Sequence, residues 1–205
     1  MNAANRVTIA RMVFIPVFLV VLLGEWISLV PEPAAWEAAK PWIAAVIFTV
    51  LAATDAVDGY LARSRNEVTT FGKFIDPLAD KLLVTAALFA LVDLDALPSW
   101  IAIVIVAREL IVSGLRMVAV AEGKVIAASH FGKAKTVMQI VAITAFIVKD
   151  SALIGLDGAW LPVAVQWFSW AAMAAAVALT IWSMVAYFYH ARDVLTGPWN
   201  AGRAS

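Results

Sequence analysis

Six long apolar runs dominate this sequence and limit the folds that it can adopt. They cover roughly residues 8–29, 41–63, 72–92, 98–118, 134–149 and 161–190. A helix needs about 20 apolar residues to cross the hydrocarbon core of a bilayer. The chain is 63% hydrophobic, whereas soluble domains are about 45–50% apolar. The sequence therefore predicts an all-α integral membrane protein with six transmembrane helices, forming a single domain over residues 1–205.

Basic residues are distributed unevenly between the two predicted sides of the membrane. With six spans, the termini and the loops near 64–71 and 119–133 share one side, which holds all of the 15 basic residues except Lys40 and Lys149. Basic loops of membrane proteins stay in the cytoplasm. We therefore predict that both termini are cytoplasmic.

The residues that the chain lacks exclude several kinds of chemistry. It has no cysteine, which rules out disulfides, thiolate metal sites and cysteine nucleophiles. Its two histidines, His130 and His190, are too few for a histidine-rich metal site. No nucleic-acid partner is expected.

Four aspartates stand out at the cytoplasmic ends of the second and third predicted spans. Asp55 and Asp58 are three residues apart, and Asp76 and Asp80 are four apart. On a helix both spacings place the side chains on one face. Because a short loop joins the two helices, the sequence predicts that the four carboxylates converge.

Clustered carboxylates in a region of low dielectric constant repel each other unless they are protonated, paired or bound to metal. Pairing with Lys73 and Lys81 would make the cluster purely structural. Intramembrane carboxylates are, however, functional in most proteins. Hard oxygen ligands favour Mg²⁺, with Mn²⁺ or Ca²⁺ as alternatives. Four carboxylates can hold two metal ions, which stabilise the entering and leaving oxygens in phosphoryl displacement.

The spacing around these aspartates carries a family resemblance. The pattern D-x2-D-G-x2-A-R-x8-G-x3-D-x3-D matches at all eight specified positions: Asp55, Asp58, Gly59, Ala62, Arg63, Gly72, Asp76 and Asp80. It resembles the signature of the CDP-alcohol phosphatidyltransferase family. The resemblance implies a six-helix membrane enzyme, a homodimer, with its site on the cytoplasmic side.

Further segments are similar to one bacterial branch of this family, in which sn-glycerol 3-phosphate is the acceptor. They are Asn5–Arg11, Asp76–Lys81, Ala107–Ile111 and Gly132–Thr136. The branch implies that the phosphatidyl group of CDP-diacylglycerol passes to sn-glycerol 3-phosphate, giving phosphatidylglycerophosphate and CMP. It also implies a multi-pass protein of the bacterial inner (plasma) membrane, with the active site facing the cytoplasm.

The resemblance also implies roles for individual residues. Asp55, Asp58, Asp76 and Asp80 look like ligands of two divalent cations, Mg²⁺ or Mn²⁺, and Asp80 also looks like the proton acceptor for the attacking hydroxyl. The expected contacts of the CDP-lipid are Asn5, Thr8, Gly59, Arg63, Thr69 and Gly72. No organic cofactor is expected.

An acceptor that carries a phosphate needs cations of its own. The candidates are Arg116, Lys133, Lys135 and Arg192, which lie at cytoplasmic ends of the later helices. Glu109 and Arg116 fall on one helix face, so Glu109 is expected to hold Arg116. The alternative is that these basic residues only touch lipid headgroups.

Other functions remain open at this point. Inositol phosphate, serine or phosphatidylglycerol, the last giving cardiolipin, could be the acceptor, because enzymes for these acceptors share the signature. An ion transporter with intramembrane aspartates would explain the charges. It would not explain Gly59, Arg63 and Gly72 at these spacings.

Overall fold

All regular structure described in the computed structural model is helical. The model describes residues 3–24, 33–65, 70–121, 130–157 and 160–201, with side chains for 9–24, 36–54, 81–119, 132, 134–154 and 160–189. The elements are α1 (Ala3–Leu23), α2 (Pro33–Arg65), α3 (Thr70–Asp93), α4 (Ser99–Ala121), α5 (His130–Val148), a 3-10 helix (Ala152–Asp157) and α6 (Trp160–Ala201). The predicted all-α class and the six helices are confirmed.

Some helix bounds differ from the apolar runs. Helix α1 ends at Leu23 rather than near residue 29. Just after this end, the Gly24 N–H donates to the Val20 carbonyl at 2.9 Å. Helix α2 begins at Pro33 instead of residue 41. Proline suits the first turn because its missing N–H would have no partner inside the helix. Hydropathy therefore located these two helices but misplaced their outer ends.

Small residues allow the helices to pack closely. Helix α1 packs against α2 and α3, whereas α6 packs against α4 and α5, and α2 joins the two groups through α5. Ala44 of α2, Ala142 of α5 and Ala176 of α6 are fully buried. Helices in lipid gain from van der Waals contact between closely approaching backbones, which small side chains permit. The alanine-rich stretch 171–178 contributes Ala172 and Ala176 to this packing.

The helices α2 and α5 run antiparallel, and two side-chain hydrogen bonds fix their register. The Trp42 Nε1–H donates to Ser151 Oγ at 2.9 Å. Seven residues further along α2, Thr49 Oγ1 lies 3.3 Å from Thr144 Oγ1, seven residues earlier than Ser151. Because both steps are seven residues, the register between α2 and α5 is constant between the two hydrogen bonds. Ser151 also donates to the Ala38 carbonyl at 3.2 Å, which ties the end of α5 to the first turns of α2.

The outer surface of the bundle is rich in large apolar side chains. Met117 is 72% exposed and Trp167 is 74% exposed, and exposed valine, isoleucine and phenylalanine side chains occur on several helices. Soluble monomers rarely present apolar surface on this scale. Within the described residues, Trp36–Thr54 and Trp160–Tyr189 are long and apolar enough to cross a bilayer, and Ile9–Leu23 and Ala134–Val148 are shorter apolar helices. These features fit a membrane protein, while the number of spans stays a prediction.

Candidate functional site

The four aspartates lie on two consecutive helices that meet at one end of the bundle. Helix α2 carries Asp55 and Asp58, and α3 carries Asp76 and Asp80. We call this end, where α2 ends and α3 begins, the aspartate end. Their side chains lie outside the described set, so the convergence of the carboxylates stays a prediction.

The connection between α2 and α3 relates the depths of the two aspartate pairs. Helix α2 ends at Arg65 and α3 begins at Thr70, so only residues 66–69 separate them. Asp55 lies ten residues before the end of α2, and Asp80 lies ten residues after the start of α3. At a rise of about 1.5 Å per residue, both positions lie about 15 Å from the connection. Asp55 and Asp80 are therefore at one depth.

Contacts between α1 and α2 place a buried cation at this same depth. The rings of Phe18 and Phe48 pack with their centroids 5.8 Å apart. Arg11 lies seven residues before Phe18 on α1, and Asp55 lies seven residues after Phe48 on α2. Because the helices are antiparallel, both steps lead about 10 Å toward the aspartate end. Arg11 is only 2% exposed, so a buried guanidinium lies level with Asp55.

The register of α2 against α5 extends these depths to a third helix. Six residues beyond the pair Thr49 and Thr144, Asp55 of α2 comes level with Met138 of α5. Three residues further toward the aspartate end, Asp58 comes level with Lys135. The two aspartates of α2 therefore lie at the same depth as the segment of α5 that runs from Lys135 to Met138.

A compact group of charged side chains joins α4 and α5 at the depth of Asp58. Lys135 donates to the Glu109 carboxylate, and Arg108 Nη1 lies 3.2 Å from the same carboxylate oxygen. Lys135 is 4% exposed, and Arg108 is also buried. Lys135 and Arg108 thus share one carboxylate within the described residues.

This group corrects the prediction for Glu109. Among the described residues, its carboxylate has Lys135 of α5 and Arg108 as its partners rather than Arg116. Arg116 is exposed and lies two helical turns beyond Glu109, about 10 Å nearer the aspartate end. Sequence spacing could relate Glu109 only to residues of its own helix, whereas in the structure the long side chain of Lys135 reaches it from α5.

The other predicted site residues lie on helices near the aspartate end. Gly59 and Arg63 lie on α2, Gly72 on α3, and Asn5 and Thr8 in the first turns of α1. Lys133 lies on α5 and Arg192 on α6. The side chains of these seven residues, and all of Thr69, are outside the described set. Their predicted contacts are therefore untested.

Gln139 is a polar residue that the sequence analysis missed. It lies one helical turn beyond Lys135 on α5 and is 3% exposed. Within the described part of the chain its Nε2 atom has no hydrogen-bond partner. A glutamine inside an apolar run was the available signal, but only the tertiary structure shows that its amide is buried.

The aspartates are the residues that could hold a metal. Among the side chains that the structure describes, no group of three or more histidine, aspartate or glutamate residues lies together. The four aspartates fall outside that set, and they offer only carboxylate oxygens, which suit hard divalent cations such as Mg²⁺. Their backbone positions, at matched depths on neighbouring helices, fit a shared cation site.

Comparison with known proteins identifies the family of this chain. The family model for CDP-alcohol phosphatidyltransferase matches residues 1–182. Over 151 residues the chain is 45% identical to the CDP-diacylglycerol–glycerol-3-phosphate 3-phosphatidyltransferase of Bacillus subtilis, covering 73% of this chain and 78% of that protein. It is 36% identical over 200 residues to the Salmonella typhimurium protein of the same name, covering 95% and 97%.

A mycobacterial relative extends the comparison. The chain is 39% identical over 195 residues to a protein of Mycobacterium tuberculosis named as a probable phosphatidylglycerophosphate synthase, covering 94% of this chain and 83% of that one. The family model spans both aspartate-bearing helices, and these relatives align over most of the chain. This chain belongs to the CDP-alcohol phosphatidyltransferase family and is a transferase.

Proposed function

We propose that this protein transfers the phosphatidyl group of CDP-diacylglycerol to sn-glycerol 3-phosphate, giving phosphatidylglycerophosphate and CMP. The observation that carries the proposal is the identity of 36–45% to relatives named for this reaction, over most of the chain. The eight signature positions support the donor half of the reaction, because they are present at the family spacing on α2 and α3.

Divalent cations held by Asp55, Asp58, Asp76 and Asp80 belong to this proposal, with Mg²⁺ or Mn²⁺ as the metal. When bound, they supply positive charge that stabilises the entering and leaving oxygens of the phosphoryl transfer. The matched depth of Asp55 and Asp80 supports a site shared between α2 and α3. Arg63 and the backbone near Gly59 and Gly72 contact the diphosphate of the donor, together with Asn5, Thr8 and Thr69.

Asp80 accepts the proton of the attacking hydroxyl in the proposed mechanism. The oxygen of that hydroxyl forms a bond to the lipid-side phosphorus as the bond from this phosphorus to the CMP oxygen breaks. CMP leaves with the electron pair of the broken bond, and Arg63 offsets part of its charge through charge-assisted hydrogen bonds. A carboxylate suits the role of base because it can reach a hydroxyl held one hydrogen bond away.

The phosphate of the acceptor is bound by cations from the later helices, with Arg116, Lys133, Lys135 and Arg192 as the candidates. Lys135 is the best supported of them, because its ammonium is buried at the depth of Asp58. Its ion pair with Glu109 holds the ammonium at this depth. Glu109 would then act as a positioning residue that fixes the ammonium.

The proposal also covers the setting of the enzyme. We expect a multi-pass protein of the bacterial inner membrane, active as a homodimer, with the aspartate end facing the cytoplasm. Charge distribution supports this orientation, since 13 of the 15 basic residues fall on the predicted cytoplasmic side.

The proposal can be tested with purified protein in mixed micelles. CDP-diacylglycerol is supplied with sn-glycerol 3-phosphate, free glycerol, inositol phosphate, serine or phosphatidylglycerol, and the lipid product is identified by mass spectrometry. We expect phosphatidylglycerophosphate and an equal amount of CMP, with no turnover after chelation of divalent cations. Equal use of free glycerol, or a product from another acceptor alone, would contradict the substrate assignment.

A further inference from the structure

The Nε2 amide of Gln139 is buried and has no hydrogen-bond acceptor among the described residues. Its side chain is 3% exposed, and within the described part of the chain Nε2 donates to no oxygen. Buried polar groups are almost always hydrogen-bonded, since leaving a donor unpaired costs its full desolvation. In a membrane protein no bulk water is available to compensate. Such a donor in the interior indicates that an additional group binds beside it.

On α4 and α6, apolar residues lie at this depth. Lys135 of α5 contacts Glu109 of α4, so four residues deeper Gln139 comes level with Ile105, which is fully buried. On α6, the contact of Ser169 with the Ala145 carbonyl brings Gln139 close to the level of Ala176, also fully buried. Neither side chain can accept a hydrogen bond from the amide.

Gln139 also lies in line with the proposed reaction site. It follows Lys135 by one helical turn on the same face of α5, about 6 Å further from the aspartate end. The register with α2 places it level with the residues next to Asp55, and Asp80 shares the depth of Asp55. A small molecule that spans this turn would have one end near Lys135 and the other near the proposed base.

We infer that Gln139 determines acceptor specificity by donating a hydrogen bond to the middle hydroxyl of sn-glycerol 3-phosphate. This inference rests on the proposed function. The acceptor carries its phosphate at one end and the attacking hydroxyl at the other, so a phosphate near Lys135 directs the attacking hydroxyl toward Asp80. The middle hydroxyl is on the carbon next to the one that bears the attacking hydroxyl, so it is the other oxygen within reach of an amide at the depth of Asp55. Donation to the attacking oxygen is chemically unfavourable, because it would withdraw electron density from the nucleophile.

The test compares two acceptors that differ only in the middle hydroxyl, sn-glycerol 3-phosphate and 1,3-propanediol monophosphate. In Gln139→Leu, kcat/KM for sn-glycerol 3-phosphate should fall about tenfold or more, because a site built to bind a hydroxyl loses that contact. The value for 1,3-propanediol monophosphate and the KM for CDP-diacylglycerol should stay near wild type, which also shows that the variant is folded. Gln166→Leu is the matched control. It replaces the only other glutamine of the chain, near the start of α6, and should leave both acceptors unchanged.

Other outcomes would overturn the inference. Three results would each show that Gln139 does not bind the middle hydroxyl. They are an equal fall in kcat/KM for both acceptors, an unchanged kcat/KM for sn-glycerol 3-phosphate, or a raised KM for CDP-diacylglycerol. If the leucine variant is not recovered from membranes, Gln139→Met keeps an unbranched chain and takes its place. Failure of the proposed function would be recognised separately, because wild-type protein would then make no phosphatidylglycerophosphate.

Discussion

At the scale of single residues, the charged group of Arg108, Glu109 and Lys135 shows how burial changes the meaning of a basic residue. Lys135 and Arg116 look alike in the sequence, as cations near the ends of later helices. In the structure Lys135 is buried against Glu109, whereas Arg116 is exposed. A buried ammonium is held in one place by its partner, so it can offer a donor at a defined position. An exposed guanidinium can equally reach lipid headgroups.

Replacing Asp80 tests the proposed division of roles among the aspartates. Asp80→Asn cannot accept a proton, so turnover should fall by about 100-fold or more. Binding of CDP-diacylglycerol should be retained better in Asp80→Asn than in Asp55→Asn, Asp58→Asn or Asp76→Asn, because the proposed role of these three aspartates is only to hold cations. Release of CMP measures turnover, and retention of CDP-diacylglycerol by purified protein measures binding. Wild-type turnover in Asp80→Asn would show that it is not the obligatory base.

Replacing the members of the charged group should affect stability unequally. Glu109→Gln leaves two buried cations without their carboxylate, which can cost up to about 3–5 kcal/mol. Lys135→Met should cost less, because Glu109 keeps Arg108 as a partner. The midpoints of thermal unfolding in detergent measure both effects. Glu37→Gln, at an exposed position of α2, is the control and should unfold like wild type. Equal unfolding midpoints for Glu109→Gln and wild type would mean that the ion pairs of Glu109 contribute nothing to stability.

At the scale of helices, the depth of the site depends on the register between α2 and α5. Two hydrogen bonds at matching intervals fix that register in the half of the bundle away from the aspartates. Continued along regular helices, it brings Asp55 level with Met138 and Asp58 level with Lys135. The contacts that set the geometry are therefore separate from the residues proposed for chemistry.

A disulfide between α2 and α5 would test this register directly. The chain has no native cysteine, so Thr49→Cys with Thr144→Cys gives a clean background. Since the two hydroxyl oxygens lie 3.3 Å apart, the introduced sulfurs should be close enough to bond under mild oxidation. Intact mass after alkylation counts the remaining thiols, and we expect none. In the control, Thr49→Cys is combined with Val137→Cys, which lies two helical turns from Thr144, and both thiols should remain free. The reverse result would refute the register.

At the scale of the whole molecule, its two ends and its sides have different characters. Large apolar side chains face outward along the helices. One end gathers the aspartates and the charged group, whereas the opposite end carries Lys40 and the Lys149–Asp150 pair. Among the residues with described side chains, the segments Trp36–Thr54 and Trp160–Tyr189 have the length and composition to cross a bilayer by themselves.

Labelling of single cysteines in intact cells would test the proposed orientation. A cysteine at residue 66, between α2 and α3, should resist a membrane-impermeant thiol reagent because it faces the cytoplasm. A cysteine at residue 34, near the start of α2, should react from outside. Permeabilised cells should allow both to react, which serves as the control for accessibility. Reaction of residue 66 alone in intact cells would invert the orientation.

Much of this protein follows from its sequence because lipid is a simple solvent. A helix is the only open element that satisfies its backbone hydrogen bonds in a bilayer, so apolar runs sufficed to predict six helices. The aspartates were equally evident, because charge in an apolar run is costly and rarely accidental. Their spacing on α2 and α3 then pointed to the family, and the family model agrees.

Only the tertiary structure determined which residues of different helices share a depth. Register between helices depends on contacts such as Thr49 with Thr144, which join residues distant in sequence and leave no periodic pattern. The partner of Glu109 was mispredicted for this reason, since spacing along α4 cannot reveal Lys135 on α5. The amide of Gln139, which has no partner among the described side chains, could not be identified for the same reason. A polar residue in an apolar run shows its partners, or their absence, only when the neighbouring helices are in place.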